Sequence, residues 1–192
     1  MGTRERFPIP LALGAVVGAG AWIAGYLLAY LFAADELREN VGLQVFQFAL
    51  EVDDPTFAAW VFYNAHSVDV GFPGGGAGSV GYNFIATATG PLEALYLLPP
   101  LVLVAAGGFV TWRRRDRLRT ATDALLGGMT VVVGYLPVSV LGIVVFAADV
   151  GGGTIRPDPL GAVLLAGVVY PTILGAIGGL FVALALARPT GD

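Results

Sequence analysis

Long apolar stretches alternate with short polar segments along this chain, and four of the apolar stretches are long enough to cross a membrane. A bilayer core of about 30 Å needs roughly 20 apolar residues in a helix. Three of the stretches carry no charged residue, and the fourth carries only Glu93 near its start. The pattern predicts an all-α membrane protein with transmembrane helices at residues 9–34, 91–112, 124–148 and 159–187. The first stretch is too long for the apolar part of a signal peptide, so we expect it to be retained.

The positions of the arginines predict how these helices are oriented. Eight of the ten arginines lie before the first helix, between the second and third, or after the fourth, and only Arg38 and Arg156 lie in the other two loops. Cytoplasmic loops of membrane proteins are enriched in basic residues. We therefore expect a single membrane domain, residues 1–192, in the cell membrane, with both termini and the arginine loop 113–119 in the cytoplasm.

Segment 35–90 is then predicted to be an acidic extracellular cap, because it carries seven acids and one arginine. Apolar residues at helical spacing predict an amphipathic helix between Leu37 and Val52. The aromatic stretch 57–66 suits a helix at the membrane interface, and the glycine-rich stretch 71–81 suits a flexible loop. Both a folded cap on the helix ends and helices lying on the lipid fit this pattern.

The composition agrees with a membrane location and narrows the chemistry. Of the 192 residues, 56% are hydrophobic and 12% charged, whereas soluble proteins carry about 25% charged residues. The chain has no cysteine, which excludes disulfides, iron–sulfur clusters and thiol catalysis. All ten basic residues are arginine and the net charge is −4. This composition is typical of halophilic archaea, and a GC-rich genome of any kind would also favour arginine over lysine.

Three predicted helices contain prolines with hydroxyl-bearing residues nearby. A proline inside a helix removes a backbone donor and frees a carbonyl one turn earlier, and in lipid such groups need partners. One hypothesis is a polar seam of the kind found in transporters with broken helices; ordinary packing kinks are the alternative. The seam residues are Tyr96, Pro100, Tyr135, Pro137, Ser139, Tyr170, Pro171 and Thr172.

Small residues predict where helices approach each other closely. They form a stripe in the first helix (Gly14, Gly18, Ala21 and Gly25) and a GxxxG pair in the fourth (Gly175 and Gly179). Packing within the chain and packing in a homo-oligomer both fit. Similar elements also suggest two repeated helical hairpins, with coincidence in a low-complexity sequence as the alternative. These are Gly25-Tyr26-Leu27 with Gly134-Tyr135-Leu136, and Gly107-Gly108 with Gly178-Gly179.

The remaining charged residues predict structural roles more than chemistry. Glu93, Asp123 and Asp158 stand at helix starts, where carboxylates cap exposed N–H groups. His66, the only histidine, is expected on a solvated acidic surface, because its spacing from nearby aspartates matches no metal motif. The sequence therefore predicts no catalytic, cofactor-binding or metal-binding residue and no nucleic-acid binding. Candidates for binding anionic lipid headgroups are Arg113, Arg114, Arg115, Arg117 and Arg119.

The segments Arg6-Phe7-Pro8, Gly25-Tyr26-Leu27-Leu28 and 62–66 resemble a family of small, uncharacterised four-helix membrane proteins from haloarchaea. The resemblance implies source and location and carries no substrate, cofactor or catalytic residue. The sequence thus predicts a non-enzymatic helix bundle that acts through contacts with membrane lipids, a membrane protein partner or a second copy. The alternative is a small transporter or channel subunit using the proline-containing helices 2–4, which requires a water-accessible cavity reaching Tyr135 and Tyr170.

Overall fold

A computed structural model describes residues 9–39, 41–74, 79–87 and 91–187. Four of its helical segments are long and apolar enough to cross a membrane, and each end lies within three residues of the predicted end. We call these segments spans 1 to 4, and they cover residues 11–35, 92–112, 121–145 and 159–187.

The fold is mostly helical, with four short strands between the helices. The helices are α1 (Leu11–Glu39), α2 (Val41–Ala49), α3 (Asp54–Ala65), α4 (Phe84–Thr87), α5 (Leu98–Trp112), α6 (Ala121–Met129), α7 (Val132–Val145), α8 (Pro159–Gly161) and α9 (Tyr170–Ala187). The strands are β1 (Val70–Pro73), β2 (Ser79–Tyr82), β3 (Ala148–Val150) and β4 (Gly153–Pro157). Two 3₁₀ helices cover Pro91–Leu97 and Arg115–Arg117, and a π-helix covers Ala162–Val169.

The prediction of an all-α protein is wrong in one respect, because two connecting segments together form a four-stranded sheet of order β2-β1-β4-β3. Strand β1 pairs antiparallel with both β2 and β4. The loop between spans 3 and 4 contains the β3–β4 hairpin, where Gly151 and Gly152 have φ of 58° and 88°. Glycine tolerates these angles in a two-residue hairpin turn. Strands of three to five residues are too short for alternation to reveal them.

The sheet and the arginine loop lie at opposite ends of the molecule, and the candidate sites are described relative to these ends. We call the end with β1–β4 the sheet end and the opposite end, with residues 113–119, the arginine end. At each end of the molecule, one span begins with a helix cap. At the arginine end, Thr120 and Asp123 form a complete capping box on α6. At the sheet end, the Asp158 carboxylate accepts the N–H of Gly161 at 2.6 Å, whereas Glu93 is an exposed first-turn residue of its 3₁₀ helix.

The prolines of spans 2 and 4 stand where the helix changes type. Pro99 and Pro100 are the second and third residues of α5, in its first turn, where no backbone donor is needed. Pro171 is the second residue of α9, two positions after the π-helix Ala162–Val169 ends. A π-helix shifts the backbone hydrogen-bonding pattern. The shifted segment includes Gly167, whose carbonyl oxygen lacks its usual N–H donor because residue 171 is a proline.

Spans 1 and 3 pack backbone against backbone through glycines. A methyl group added at Gly18 would overlap the carbonyl oxygen of Val131, and one added at Gly14 would overlap Thr130. Farther along the predicted stripe, Ala21 is buried and Gly25 faces the ring of Phe62 in α3. The stripe therefore contacts span 3 and α3 of the same chain.

Spans 2 and 4 cross in a nearly two-fold symmetric way. Gly107 lies against Gly175, and Gly178 lies against Val104. A shift of 71 positions relates 107 to 178 and 104 to 175, and it also relates the two Gly-Gly pairs. This symmetry agrees with a parallel pair of hairpins, while the duplication itself stays a prediction. Gly175 also meets Gly128 of span 3, and Gly179 meets the carbonyl oxygen of Ala124.

Candidate functional site

Helix α3 enters the bundle from the sheet end and does not lie on its surface. Residues 57–65 of this helix are all buried. Its first turn is capped by Asp53, whose carboxylate accepts the N–H of Thr56 at 3.0 Å. Trp60 donates its indole N–H to the carbonyl oxygen of Phe146 at 2.8 Å, and Tyr63 donates its hydroxyl to the carbonyl oxygen of Ser139. These two acceptors are about two helical turns apart, or roughly 10 Å, so α3 descends alongside span 3.

His66 follows α3 directly and ends inside the bundle, fully buried. Its Nδ1 lies 2.8 Å from the carbonyl oxygen of Phe62, and its Nε2 lies 2.8 Å from the hydroxyl oxygen of Tyr135 in span 3. A carbonyl oxygen only accepts, so Nδ1 carries the proton and Nε2 accepts from the Tyr135 hydroxyl. The ring of Tyr170 in span 4 lies 5.3 Å from the imidazole. The expectation of a solvated His66 is therefore wrong.

Burial keeps this imidazole neutral. It lowers the pKa of His66 from 6.5 to about 4, and the hydrogen bond to the Phe62 carbonyl opposes this effect only in part. Of the aromatic rings packed on the imidazole, those of Tyr135 and Tyr170 present uncharged hydroxyls. An imidazolium here would have only neutral partners from these two spans. Burial also raises the pKa of Tyr63, on the same helix, above its usual range.

The structure brings part of the predicted polar seam together around His66. Tyr135 and Ser139 of span 3 are buried, with 1% and 0% of their surfaces exposed. The hydroxyl of Tyr170 lies 3.3 Å from Oγ of Ser67, the residue after His66. Next to Tyr170, Pro171 is buried and Thr172 is half-buried in span 4.

Three of the predicted seam residues lie elsewhere. The Tyr96 hydroxyl donates to the side-chain oxygen of Asn83 at 3.3 Å, within the apolar cluster at the sheet end. Pro100 is half-buried in the first turn of α5, and Pro137 is exposed on the outside of α7. The seam is therefore built from spans 3 and 4 together with α3, not from spans 2 to 4.

Two buried polar atoms beside this group lack a hydrogen-bond partner among the described residues: Oγ of Ser139 and Nε1 of Trp22. Gly142 packs against two neighbouring side chains, because a Cβ there would overlap the Tyr63 hydroxyl and press on the Trp22 ring. Unpaired buried polar groups cost free energy, so these two atoms mark the part of the interior whose hydrogen bonding is incomplete.

Sequence reasoning missed the residues that α3 contributes, and one signal was available. Residues 57–65 have no polar face, which is the pattern of a helix buried on all sides. Asn64 within it is fully used: its amide N–H₂ donates to the carbonyl oxygen of Val68 at 2.8 Å, and its oxygen accepts the N–H of Phe84 at 2.8 Å. Among the described residues, no group of three or more histidine, aspartate or glutamate side chains is arranged to hold a metal ion.

A second candidate site lies at the arginine end, where a recess of about 340 Å³ opens. It is lined by Leu13 of span 1 and by Arg113, Arg114, Asp116 and Arg117. The other two arginines of the predicted headgroup set lie outside this lining. Arg115 stacks 4.7 Å above the Trp112 ring and donates to the Trp112 carbonyl oxygen at 3.3 Å. The backbone N–H of Arg119 bonds the Asp123 carboxylate at 3.0 Å.

Comparison with known proteins gives a family and no function. Residues 1–186 match the model of a family of unknown function, DUF7978, and the chain belongs to that family. No curated protein and no solved structure matches it. The membrane location and the haloarchaeal source implied by the sequence resemblance stay predictions.

Proposed function

We propose that this member of the DUF7978 family is a non-enzymatic, multi-pass integral membrane protein that acts through contacts of its surfaces with lipids or a membrane protein partner. One observation carries the proposal: the interior is closed where a path for a solute would have to run. The sequence predicts that such a path would reach Tyr135 and Tyr170; Tyr135 has 1% of its surface exposed, and Tyr170 is half-buried. Ser139, one helical turn from Tyr135, has 0% of its surface exposed. A module that works through contacts needs no such path.

The outward faces of the spans support a location in the membrane. Only 28% to 44% of the apolar stretch of each span is buried inside the protein, although the spans consist almost entirely of apolar residues. Large apolar side chains therefore point outward on every span, including Val16, Leu101, Val144 and Ile173. Soluble monomers rarely expose contiguous apolar surface of this extent. In the orientation that the arginines predict, the arginine end faces the cytoplasm and the sheet end faces outside.

The packing of the spans supports a closed bundle. Backbones touch where Gly18 meets Val131 and where Gly107 meets Gly175, and contacts this close leave no lumen between the paired spans. At the sheet end, we assign one of the two cap models to each helix. Helix α3 is a folded part of the bundle, whereas α2 exposes Val45 and Phe48 (62% and 86%) and is placed on the lipid.

Cysteine labelling in membranes tests the closed interior, because the chain contains no cysteine of its own. We expect Tyr135→Cys and Ser139→Cys to resist a water-soluble maleimide until the protein is denatured. Ser79→Cys at the sheet end and Thr122→Cys at the arginine end, both exposed, are the matched controls. They should label from opposite sides of the membrane. Labelling of position 135 or 139 in the native protein would overturn the closed-bundle proposal.

A small transporter is the second candidate function, and one observation favours it. The His66–Tyr135 hydrogen bond lies inside the bundle, near Oγ of Ser139, which has no hydrogen-bond partner among the described residues. Transporters place polar groups at such depth. Its test is a flux assay in vesicles containing the Pro137→Ala and Pro171→Ala variants. No change in fold, assembly or solute flux in either variant removes this candidate.

A further inference from the structure

We propose that the recess at the arginine end binds one phosphate group, that of an anionic phospholipid headgroup. Arg113, Arg114 and Arg117 line this recess together with a single carboxylate, Asp116. None of these three guanidinium groups forms an ion pair with a described residue. Guanidinium groups bind phosphate oxygens through paired N–H donors. Three guanidinium groups around one recess, against one carboxylate among its described lining residues, therefore favour an anion with several acceptor oxygens.

The surroundings of the recess assign the phosphate to a lipid. Leu13 of span 1 forms part of the lining. Ile9, just before span 1, and Leu11, at its start, are 50% and 55% exposed. Trp112, at the end of span 2, is 47% exposed and carries Arg115 on its ring, an arrangement typical of the membrane–water interface. Free phosphate would leave this apolar rim unused, whereas a lipid would cover it with its glycerol and acyl chains.

The size of the recess is also suitable. Its volume of about 340 Å³ lies at the lower end of the range for ligand sites, about 300–1,000 Å³, and so fits one headgroup. The five arginines of the loop are then not equivalent, although the sequence groups them together. Arg113, Arg114 and Arg117 bind the phosphate, whereas Arg115 is held by Trp112. This inference rests on the proposed membrane location.

The experiment measures binding of phosphatidylglycerol to the purified full-length chain in neutral detergent by native mass spectrometry. Phosphatidylcholine and inorganic phosphate are the comparison ligands. We expect the Arg114→Gln/Arg117→Gln variant to bind phosphatidylglycerol about 25-fold more weakly, since each arginine near anionic lipid is worth about a fivefold factor. Arg115→Gln, in the same loop, is the matched control and should change binding less than about twofold.

A gain-of-binding variant keeps the test decisive if the double variant does not fold. Asp116→Asn removes the only carboxylate among the described residues that line the recess and should strengthen phosphatidylglycerol binding several-fold. Equal binding of phosphatidylcholine and phosphatidylglycerol would overturn the proposal, and so would an equal loss in Arg115→Gln. Inorganic phosphate that binds as tightly as the lipid would overturn the lipid assignment.

The closed interior and the phosphate site have separate readouts, so either can fail alone. Cysteine labelling reports on positions 135 and 139, which lie within span 3 and not in the lining of the recess. It does not depend on a bound lipid. Extraction of the chain from membranes by alkaline carbonate would contradict the membrane location. The affinity of the purified chain for phosphate-containing ligands would still be measured independently.

Discussion

Acidification should destabilise this protein through a single buried imidazole. His66 lies between Phe62, Tyr135 and Tyr170 with none of its surface exposed, and burial lowers its pKa from 6.5 to about 4. Between these two values the unfolded chain binds a proton that the folded protein does not. The free energy of unfolding is therefore highest above pH 6.5 and falls as the pH is lowered from 6.5 towards 4.

The magnitude follows from the two pKa values. One pKa unit corresponds to about 1.4 kcal/mol, so lowering the pH from about 7.5 to about 4.5 should remove about 2–3 kcal/mol from the free energy of unfolding. The structure gives the reason that the folded protein resists protonation. An imidazolium would have to donate from Nε2 to the Tyr135 oxygen, and the Tyr135 proton would then need another acceptor.

The assay is reversible unfolding of the purified chain by dodecyl sulfate in mild detergent, followed by tryptophan fluorescence. Trp22 and Trp60 are suitable reporters, because they are 4% and 0% exposed in the folded protein. Comparing wild type with His66→Gln at both pH values cancels the contributions of all other titrating groups. Glutamine can donate to the Phe62 carbonyl and accept from Tyr135, and it does not titrate.

His66→Gln should lose about 2–3 kcal/mol less than wild type between the two pH values. A second variant, Tyr135→Phe, separates titration from hydrogen bonding. It should cost about 1 kcal/mol at neutral pH through the lost hydrogen bond and retain the acid sensitivity. If wild type and His66→Gln lose the same stability on acidification, the imidazole is not the responsible group and the reasoning fails.

Three further substitutions, two of them with a control variant, test helix packing, a helix cap and a hairpin turn by the same unfolding assay. Gly18→Ala places a methyl group against the Val131 carbonyl and should cost about 1–3 kcal/mol, whereas Gly20→Ala meets nothing within 4 Å and should gain up to about 1 kcal/mol from helix propensity. Asp158→Ala removes the cap on Gly161 and should cost about 1 kcal/mol; no change would mean that the cap is dispensable. Gly152→Ala, at a φ of 88°, should cost about 1–3 kcal/mol, and Gly71→Ala, whose Cβ would make only ordinary contacts, should cost less.

The helices that carry the hydrophobic signal were predictable because that signal is local. Four apolar stretches of membrane length became four spans with nearly the predicted ends. The capping residues Thr120, Asp123 and Asp158 were predictable for the same reason, because a cap acts on N–H groups within three residues. A proline is also a local signal, but the structure decided its effect: Pro100 lies in the first turn of α5, whereas Pro137 lies inside α7.

The candidate sites were only partly predictable, because each depends on contacts between distant segments. Tyr135, Ser139 and Tyr170 were selected as hydroxyls near prolines, but the residue that joins two of them, His66, comes from 69 positions before Tyr135. When only its neighbours in sequence are considered, a histidine between aspartates is expected to lie in solvent. Similarly, the five loop arginines look equivalent until Leu13 and Trp112 separate those that line the recess from the one that stacks.

By itself, the sequence determined that this chain has four helices of membrane length, and it predicted their orientation. It could do so because apolar length, helix caps and arginine placement act through adjacent residues and the surrounding solvent. The tertiary structure alone decided that α3 turns into the bundle, that strands β1 and β2 join β3 and β4 in one sheet, and that His66 becomes a buried neutral base. Backbone pairing and burial on all sides depend on which distant segments meet, and no local pattern encodes that choice.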